Sequence, residues 1–250
     1  MTAREGTPAV QVLYEDNHLI AVVKPPGMLS QADGTGAPDI LTAVKDDLKT
    51  RYNKPGNVFL GLVHRLDRPA GGAMLLAKTS KAASRLSDAV RNRSFVKGYV
   101  ACTAGVPSPR GATLVHYLRK DPKTNIVTAH PRPLPDAKEA SLTYSVVAAS
   151  GGRALVAVHL HTGRPHQIRV QMAAIGCPLA GDRKYGAPEG ARMHETAALW
   201  SAYIGLVHPV TKEWLEIRSL PPREGVWAAW PDAAWTAAAG AFPPEGTGLR

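Results

Sequence analysis

The chain has 250 residues, of which 44% are hydrophobic, and its formal net charge is +10 at pH 7. This length and composition indicate a globular protein that can bury a substantial core. They argue against a membrane protein, because no apolar run approaches the roughly 18 residues that a span needs and the N-terminus lacks the apolar segment of a signal peptide. We therefore expect a cytoplasmic protein.

Apolar periodicity and turn residues predict short strands that alternate with a few helices. In chain order, the predicted elements are strands over 12–14 and 19–23 that form a hairpin, a helix over 40–48, a strand over 73–77, a helix from Thr79 or Ser80 to about Asn92, a strand over 95–103, a basic hairpin or loop over 117–138, strands over 141–147 and 154–161, and a helix that begins within Thr162 to Pro165 and stops at Gly176. Residues 225–250 are rich in Ala, Trp, Pro and Gly and predict a tail with little chemistry.

Positive charge is concentrated in the middle of the chain. Residues 61–185 contain 19 Lys and Arg against 6 Asp and Glu, a net charge of +13, so the flanking segments are negative overall. Such a block is typical of a surface that binds a polyanion, most often nucleic acid. A merely basic protein would have the same composition, so the charge alone leaves both interpretations open.

The motifs of several large enzyme classes are missing. The sequence has no Walker loop, no HExxH, no GxSxG and no carboxylate cluster suited to magnesium. The run from His64 to Asp67 differs from a kinase catalytic loop, because a Leu separates its Arg from its Asp.

Neither cysteine nor histidine forms a metal-binding pattern. Cys102 and Cys177 have no CxxC partner, which indicates two reduced thiols in a cytosolic protein. His159, His161 and His166 have no Cys or carboxylate neighbour, so we expect no metal site and no cofactor there.

A single aspartate in a glycine-containing loop is the strongest candidate for chemistry. Asp67 lies between Arg65 and Arg68 in VHRLDRPAGG, and these neighbours favour its ionised form. Candidate partners are Tyr99 in KGYVA and Arg169 in GRPHQIRV. In the alternative interpretation Asp67 only caps a turn or pairs with Arg65, Tyr99 is an ordinary strand aromatic, and Arg169 is a solvated helix residue.

Five segments occur in a characteristic order: LYEDNHLIAVVKPPGMLS, HRLDRPAGGAMLLAKT, KGYVA, GRPHQIRVQMAAIGCPLAGDRKYG and HPVTKEWL. With these segments the chain resembles the RluA family of pseudouridine synthases over roughly residues 12–221. The resemblance implies an α+β fold with a mixed, mainly antiparallel β-sheet, flanking helices and a central catalytic cleft.

The resemblance also implies an RNA uridine isomerase that converts specific uridines of structured ribosomal or transfer RNA to pseudouridine. Asp67 is then the nucleophile, Arg169 keeps it ionised, and Tyr99 stacks on the uracil or helps to move a proton. The target nucleotide has to be flipped out of its helix, and Arg65 is the candidate side chain to occupy the space that the nucleotide leaves. Attack at C6 of the ring and attack at C1′ of the ribose both remain open.

The implied partner is RNA, with no cofactor, no metal and no membrane, and the implied state is a monomer. The RNA-binding residues that match the motifs are Arg65, Arg68, Lys97, Arg164, His166 and Gln167. Many relatives carry an N-terminal S4 domain, whereas only about ten residues precede the first predicted strand here. We therefore expect an extension over 1–11, a catalytic domain over 12–224 and a C-terminal tail over 225–250.

Two positions depart from the family pattern. Many members have Thr-Ser-Gly or Val-Ser-Gly where this chain has Ala70-Gly71-Gly72, so hydroxyl groups behind the loop are missing. Pro165 replaces a usual Thr, and we expect its ring in the first turn of the following helix. If the first departure weakens catalysis, the alternative function is an RNA-binding protein or RNA chaperone that keeps the fold.

Overall fold

The computed structural model describes residues 9–186 and 196–242. The described chain forms two compact units: a first unit with residues 9–95 and 204–219, and a second unit with residues 96–186, 196–203 and 220–242. The start of the expected N-terminal extension, residues 1–8, and the end of the expected tail, residues 243–250, lie outside the described residues.

Strands and helices alternate along the described chain, as the sequence predicts. In order they are β1 (Val12–Glu15), β2 (Leu19–Lys24), α1 (Ile40–Arg51), β3 (Gly61–Leu62), β4 (Gly71–Ala77), α2 (Ser80–Arg91), β5 (Val96–Ala104), β6 (Gly111–Lys120), β7 (Val127–His130), β8 (Lys138–Ser150), β9 (Arg153–Leu160), α3 (Gln167–Ala174), β10 (Leu199–Val207), β11 (Trp214–Arg218), a 3-10 helix (Gly225–Ala229) and α4 (Asp232–Gly240). No helix among these residues is long and apolar enough to cross a membrane.

Strand β2 lies between β1 and β4 in the first unit, and both pairings are antiparallel. The β2/β4 register runs from Leu19 opposite Ala77 to Lys24 opposite Gly72, so the end of β2 lies beside the start of β4. Alternate residues of both strands face one side, where α2 covers them. The buried cluster consists of Leu19, Ala21, Ala73, Leu75, Ala77, Ala82, Leu86, Phe95, Ile204, Leu206 and Ile217.

Helix α2 begins where the sequence predicts. The Thr79 side chain accepts a hydrogen bond from the Ala82 N–H, which caps the free N–H groups of the first turn. Ala82 and Leu86 are the buried residues of the helix, whereas its lysine and arginine side chains are exposed. The predicted amphipathic pattern is therefore confirmed.

The second unit contains an antiparallel sheet with the order β5-β9-β8-β6-β7. The predicted hairpin between 117 and 138 is confirmed by the β6/β7 pairing, in which Tyr117 is opposite His130 and Lys120 is opposite Val127. A small buried cluster of Leu118, Val127, Ala140 and Val170 packs α3 against this part of the sheet. Together with the first unit, the arrangement confirms the predicted α+β class with mainly antiparallel strands.

Helix α3 begins later than the sequence predicts. It starts at Gln167, and its N-cap residue His166 has a left-handed backbone with φ of 53°. Pro165 therefore lies before the helix and not in its first turn, so that expectation is wrong. The predicted end is confirmed, because Gly176 has φ of 75° and the Gly176 and Cys177 N–H groups donate to the last carbonyls of the helix.

The sequence patterns do not predict strands β3, β10 and β11 or helix α4. Proline and glycine around 107–111 obscure the start of β6, so the predicted hairpin begins later than the observed one. In the segment expected to be a tail, α4 packs beside β8 and β9, with Trp235 and Ala238 buried. The Phe242 ring, just after α4, covers Gly98 of β5.

Candidate active site

Asp67 lies in the first unit, on the loop of residues 63–70 between β3 and β4, which we call the Asp67 loop. Its side chain is half-buried. The Ala70 N–H donates to the Asp67 carbonyl over 3.0 Å, which closes a turn directly after the carboxylate. Strand β4 then begins at Gly71, and its second residue, Gly72, has φ of 111°, a conformation that favours glycine.

Ser30 holds the residue before Asp67 by two reciprocal hydrogen bonds. Its Oγ accepts from the Leu66 N–H over 3.0 Å and donates to the Leu66 carbonyl over 2.7 Å. Both residues are buried. Because one hydroxyl satisfies both backbone groups of Leu66, the peptide that precedes Asp67 has little freedom to rotate.

Lys24 holds the residue after Asp67. Its ammonium donates to the carbonyls of Pro25 over 2.9 Å, Met28 over 2.8 Å and Arg68 over 3.3 Å, and the side chain is fully buried. Burial lowers the pKa of Lys24 to about 7, while the negative charge of Asp67 acts in the opposite direction. Lys24 is therefore electrostatically coupled to the candidate nucleophile.

Arg68 and Gly27 complete the attachment of the loop to the segment after β2. The Arg68 Nε donates to the Gly27 carbonyl over 2.9 Å, and the Gly27 N–H donates to the Arg68 carbonyl over 2.7 Å. Arg65 and Arg68 are both exposed. Their side chains therefore lie at the surface on either side of Asp67.

His64 connects the start of the loop to β4. Its Nε2 accepts a hydrogen bond from the Leu75 N–H over 2.9 Å, so the neutral ring carries its proton on Nδ1. The ring also lies 5.1 Å from that of Phe95. This histidine of the HRLD sequence thus has a structural role in the strand-to-loop connection.

Tyr99 and Lys97 are in the second unit, on β5. Tyr99 is 6% exposed and lies opposite Val158 of β9, and Lys97 lies opposite Leu160. Burial lowers the pKa of Lys97, and its Nζ lies next to Gly163. Strand β5 therefore carries Tyr99, with Lys97 close to the loop before α3.

Arg169 is in the first turn of α3 and forms a bidentate ion pair with Asp182. Arg169 Nε donates to Asp182 Oδ2 over 2.7 Å, and Nη2 donates to Oδ1 over 2.8 Å. Burial acts to raise the pKa of Asp182, but the hydrogen bonds and charge of Arg169, together with two backbone N–H groups, outweigh burial and lower it. The carboxylate is ionised, and the guanidinium has a defined orientation.

Tyr185 lies against the same guanidinium. The Arg169 Cζ is 5.0 Å from the centre of the Tyr185 ring, within range of a cation–π interaction. The Tyr185 hydroxyl is 2.6 Å from His166 Nδ1 and accepts from the Val127 N–H over 3.0 Å. We call Arg169, Asp182, Tyr185 and His166 the Arg169 cluster.

Gln167 and Arg164 stabilise the loop that precedes α3. The buried Gln167 Oε1 accepts from the Thr162 hydroxyl and the Arg164 N–H, and its Nε2 donates to the Ser141 carbonyl. The Arg164 Nε donates to the Glu139 carbonyl over 2.8 Å. These bonds connect the loop to the start of β8, so Gln167 orders the segment that carries Arg164 and His166.

Sequence reasoning assigned no role to Lys24, Ser30, Asp182 or Tyr185. The sequence predicts Lys24 only as the end of a strand, and its full burial is visible only in the structure. Asp182 is the single acidic residue of 141–185, and this isolation in a basic block could have identified it as the partner of a buried arginine.

The described part of the chain contains no group of three or more His, Cys, Asp or Glu side chains that could hold a metal ion. Cys102 and Cys177 are both buried and free of disulfides. Burial raises the pKa of Cys102 to about 11 and also raises that of Cys177. Both thiols are therefore protonated and poorly reactive at neutral pH.

Comparison with known proteins identifies a matching family model and several similar RNA pseudouridine synthases. A family model described as RNA pseudouridylate synthase matches residues 18–174. The dual-specificity RNA pseudouridine synthase RluA of Salmonella typhimurium is 34% identical over 207 residues, which cover 81% of this chain and 89% of that protein. Ribosomal large subunit pseudouridine synthase D of Yersinia pestis is 30% identical over 231 residues, which cover 87% of this chain and 69% of that protein.

The matched length varies among relatives. An uncharacterized RNA pseudouridine synthase of Chloroflexus aurantiacus is 35% identical over 170 residues, which cover 68% of this chain but only 52% of that protein. Among solved structures, the human RNA pseudouridylate synthase domain containing 4 protein is similar with a TM-score of 0.72 and 22% identity, covering 91% of this chain and 92% of that one. This last similarity concerns the fold.

Proposed function

The chain belongs to the RNA pseudouridylate synthase family, and we propose that it converts uridines of structured ribosomal or transfer RNA to pseudouridine with Asp67 as the nucleophile. The main support is the construction of the Asp67 loop. Hydrogen bonds with Ser30 and Lys24 hold Leu66 and Arg68, the residues before and after Asp67, while Asp67 itself is half-buried. Such preorganisation is what a carboxylate nucleophile needs.

The proposed reaction is a rearrangement within one nucleotide. Asp67 attacks either C6 of the uracil or C1′ of the ribose, the bond between N1 and C1′ breaks, and the ring rotates. A bond then forms between C5 and C1′, the C5 proton leaves, N1 takes up a proton, and the Asp67 carboxylate is released. All atoms of the nucleotide other than that proton, which exchanges with water, are retained.

Tyr99 and Arg169 have supporting roles in this proposal. Tyr99 offers a buried aromatic face and a hydroxyl, which suit stacking on uracil and proton transfer. Arg169 is the proposed charge partner of the nucleophile, and Asp182 binds the edge of its guanidinium. The proposal therefore makes Asp182 a positioning residue, although it does not itself touch the nucleotide.

Access to the uridine requires base flipping, because side chains cannot reach C5 or C1′ inside a stacked helix. The exposed Arg65 is proposed to occupy the vacated space, and the exposed Arg68 to contact phosphate. In the second unit, Lys97, Arg164 and His166 are proposed RNA contacts, with Gln167 ordering their loop. The monomeric state and the cytoplasmic location stay predictions from the sequence.

The competing function is RNA binding without useful catalysis. It is favoured by the replacement of hydroxyl residues at Ala70 and Gly71, since Ala70 is buried directly behind the turn at Asp67. The two functions differ in one respect that can be measured. Of these two functions, only isomerisation releases the hydrogen at C5 of uridine.

The decisive experiment measures tritium release from [5-³H]uridine-labelled ribosomal and transfer RNA that lacks pseudouridine. We expect Asp67→Asn to lower the single-turnover rate by at least about 10³-fold, because the amide cannot act as the nucleophile. Asp88→Asn on the exposed face of α2 is the matched control and should keep the wild-type rate.

Equal tritium release by wild type and Asp67→Asn would refute the assignment of Asp67. RNA binding by both proteins with no release from any RNA would instead favour the RNA-binding function. Mapping pseudouridine in RNA from cells with and without the protein then identifies the target uridine.

A further inference from the structure

Tyr185 connects three parts of the second unit. Its hydroxyl accepts from the Val127 N–H at the start of β7 and contacts His166 Nδ1 at the start of α3, and its ring lies against the Arg169 guanidinium. Asp182 precedes it by three residues, in a turn directly after Gly181. One side chain therefore links the β6/β7 hairpin to the guanidinium.

Asp182 and Tyr185 contact the Arg169 guanidinium in different ways. Asp182 binds the edge of the guanidinium through Nε and Nη2, and the Tyr185 ring lies against the same group with 5.0 Å between its centre and Cζ. The carboxylate also fixes the position of the tyrosine, because Asp182 Oδ1 accepts from the Tyr185 N–H over 3.2 Å. These two contacts with Arg169 thus come from one turn of the chain.

The same turn is attached to the β6/β7 hairpin. Besides the bond between Val127 and Tyr185, the Lys184 ammonium donates to the Asn125 carbonyl over 2.9 Å. Tyr185 also packs against the buried cluster that contains Val127 and Val170. A displacement of the hairpin would therefore be transmitted to Tyr185.

His166 adds a reason for the Tyr185 hydroxyl to be retained. The His166 backbone has φ of 53°, which is costly for a residue with a side chain. The 2.6 Å contact with the Tyr185 hydroxyl supports this conformation. Because His166 is the N-cap of α3, the hydroxyl also stabilises the start of the helix that carries Arg169.

We propose that Tyr185 is a positioning residue, which holds the Arg169 guanidinium in one orientation and makes that orientation depend on the β6/β7 hairpin. The hairpin carries the exposed cations Arg119, Lys120 and Lys123, which suit contact with RNA phosphate. Contact between RNA and the hairpin would then act on Arg169 through Tyr185. The inference rests on the proposed function, since it assigns Arg169 a role in the reaction.

The test compares Tyr185→Phe, Tyr185→Leu and the matched control Tyr144→Phe. Tyr144 is buried in the same unit, and its hydroxyl donates to the Pro109 carbonyl over 2.8 Å, away from the Arg169 cluster. Tyr185→Phe removes the hydroxyl bonds to Val127 and His166 but keeps the aromatic ring. Tyr185→Leu removes the hydroxyl bonds and the ring. Single-turnover rates at saturating RNA, RNA dissociation constants and thermal midpoints are measured for each full-length variant.

We expect Tyr185→Phe to lower the single-turnover rate about 3- to 10-fold, with RNA affinity changed by less than about 2-fold. Tyr185→Leu should lower the rate further, by about 30-fold or more, because the cation–π contact is also lost. Tyr144→Phe should lower the thermal midpoint by a similar amount to Tyr185→Phe but keep the wild-type rate. A wild-type rate for Tyr185→Phe, or an equal loss in Tyr144→Phe, would overturn the inference.

A spectroscopic measurement makes the result independent of turnover. The Arg169 Nε–H signal in a ¹H–¹⁵N spectrum should be present in wild type and Tyr185→Phe, and should shift when Tyr185→Leu removes the ring current. An unshifted signal in Tyr185→Leu would also overturn the inference. Absence of pseudouridine formation by the wild type would refute the proposed function, whereas an active wild type with unaffected Tyr185 variants would refute only this inference.

Discussion

The Asp67 loop and the Arg169 cluster are held in place by different kinds of hydrogen bond. In the loop, the side chains of Ser30, Lys24 and Arg68 bond to backbone groups. In the cluster, the bonds that orient Arg169 come from another side chain, the carboxylate of Asp182. The first region thus fixes the course of the main chain, and the second fixes the direction of one charged group.

This difference predicts how each region tolerates substitution. When a backbone group loses its hydrogen bond to a side chain, the neighbouring peptides and turns still hold the main chain in place. A buried guanidinium that loses a bidentate carboxylate loses two charge-assisted hydrogen bonds inside the fold, which costs more. We therefore expect larger stability losses in the Arg169 cluster than in the Asp67 loop.

Asp182→Ala should give the largest loss. Because the side chains of Arg169 and Asp182 are only 7% and 0% exposed, we expect the free energy of unfolding to fall by about 3–5 kcal/mol. The free energy of unfolding is measured by urea denaturation. Asp88→Ala, which removes the partner of exposed Arg91, is the matched control and should cost less than about 1 kcal/mol. Equal losses for the two variants would remove the distinction between the regions.

Lys24→Met should change the pH dependence of stability. An unfolded lysine keeps its proton up to about pH 10.4, whereas folded Lys24 loses it near pH 7, so between these values the unfolded chain binds more protons and stability rises with pH. Between pH 7 and pH 9 the wild type should therefore gain about 2 kcal/mol relative to the variant. Parallel pH profiles for wild type and Lys24→Met would show that Lys24 keeps its proton in the fold.

Comparing the free energies of unfolding of the two proteins at pH 7 and at pH 9 isolates the effect of Lys24 titration. The Lys24→Met variant has no titrating group at this position, so the cost of its three unpaired carbonyls does not depend on pH, and the difference between the two pH profiles reports the titration of Lys24. Lys81→Met on exposed α2 is the control and should leave the wild-type pH dependence unchanged.

Ser30→Ala should give the smallest of these effects. The loss of two bonds to the buried Leu66 peptide should lower the free energy of unfolding by about 1–2 kcal/mol. Ser87→Ala is the matched control, because the exposed Ser87 hydroxyl also donates to a backbone carbonyl, and it should change stability by less than about 0.5 kcal/mol. A Ser30→Ala loss as large as that of Asp182→Ala would contradict the proposed contrast.

Local patterns predicted the elements whose signals lie within a few residues. Helix α2 was predicted because Thr79 caps an amphipathic run, and the β1/β2 hairpin because a turn separates two apolar runs. Helix α4 was missed, because an Ala- and Trp-rich segment between prolines has no distinct helical period and owes its burial to β8 and β9.

The sequence by itself determined the family resemblance, the fold class and the candidate residues Asp67, Tyr99 and Arg169, because each belongs to a continuous motif. Only the tertiary structure decided that Lys24 and Ser30 hold the Asp67 loop and that Asp182 and Tyr185 orient Arg169. These contacts join residues 13 to 44 positions apart, so no short window of sequence contains both partners. Burial then gives them their strength, and burial is a property of the folded chain.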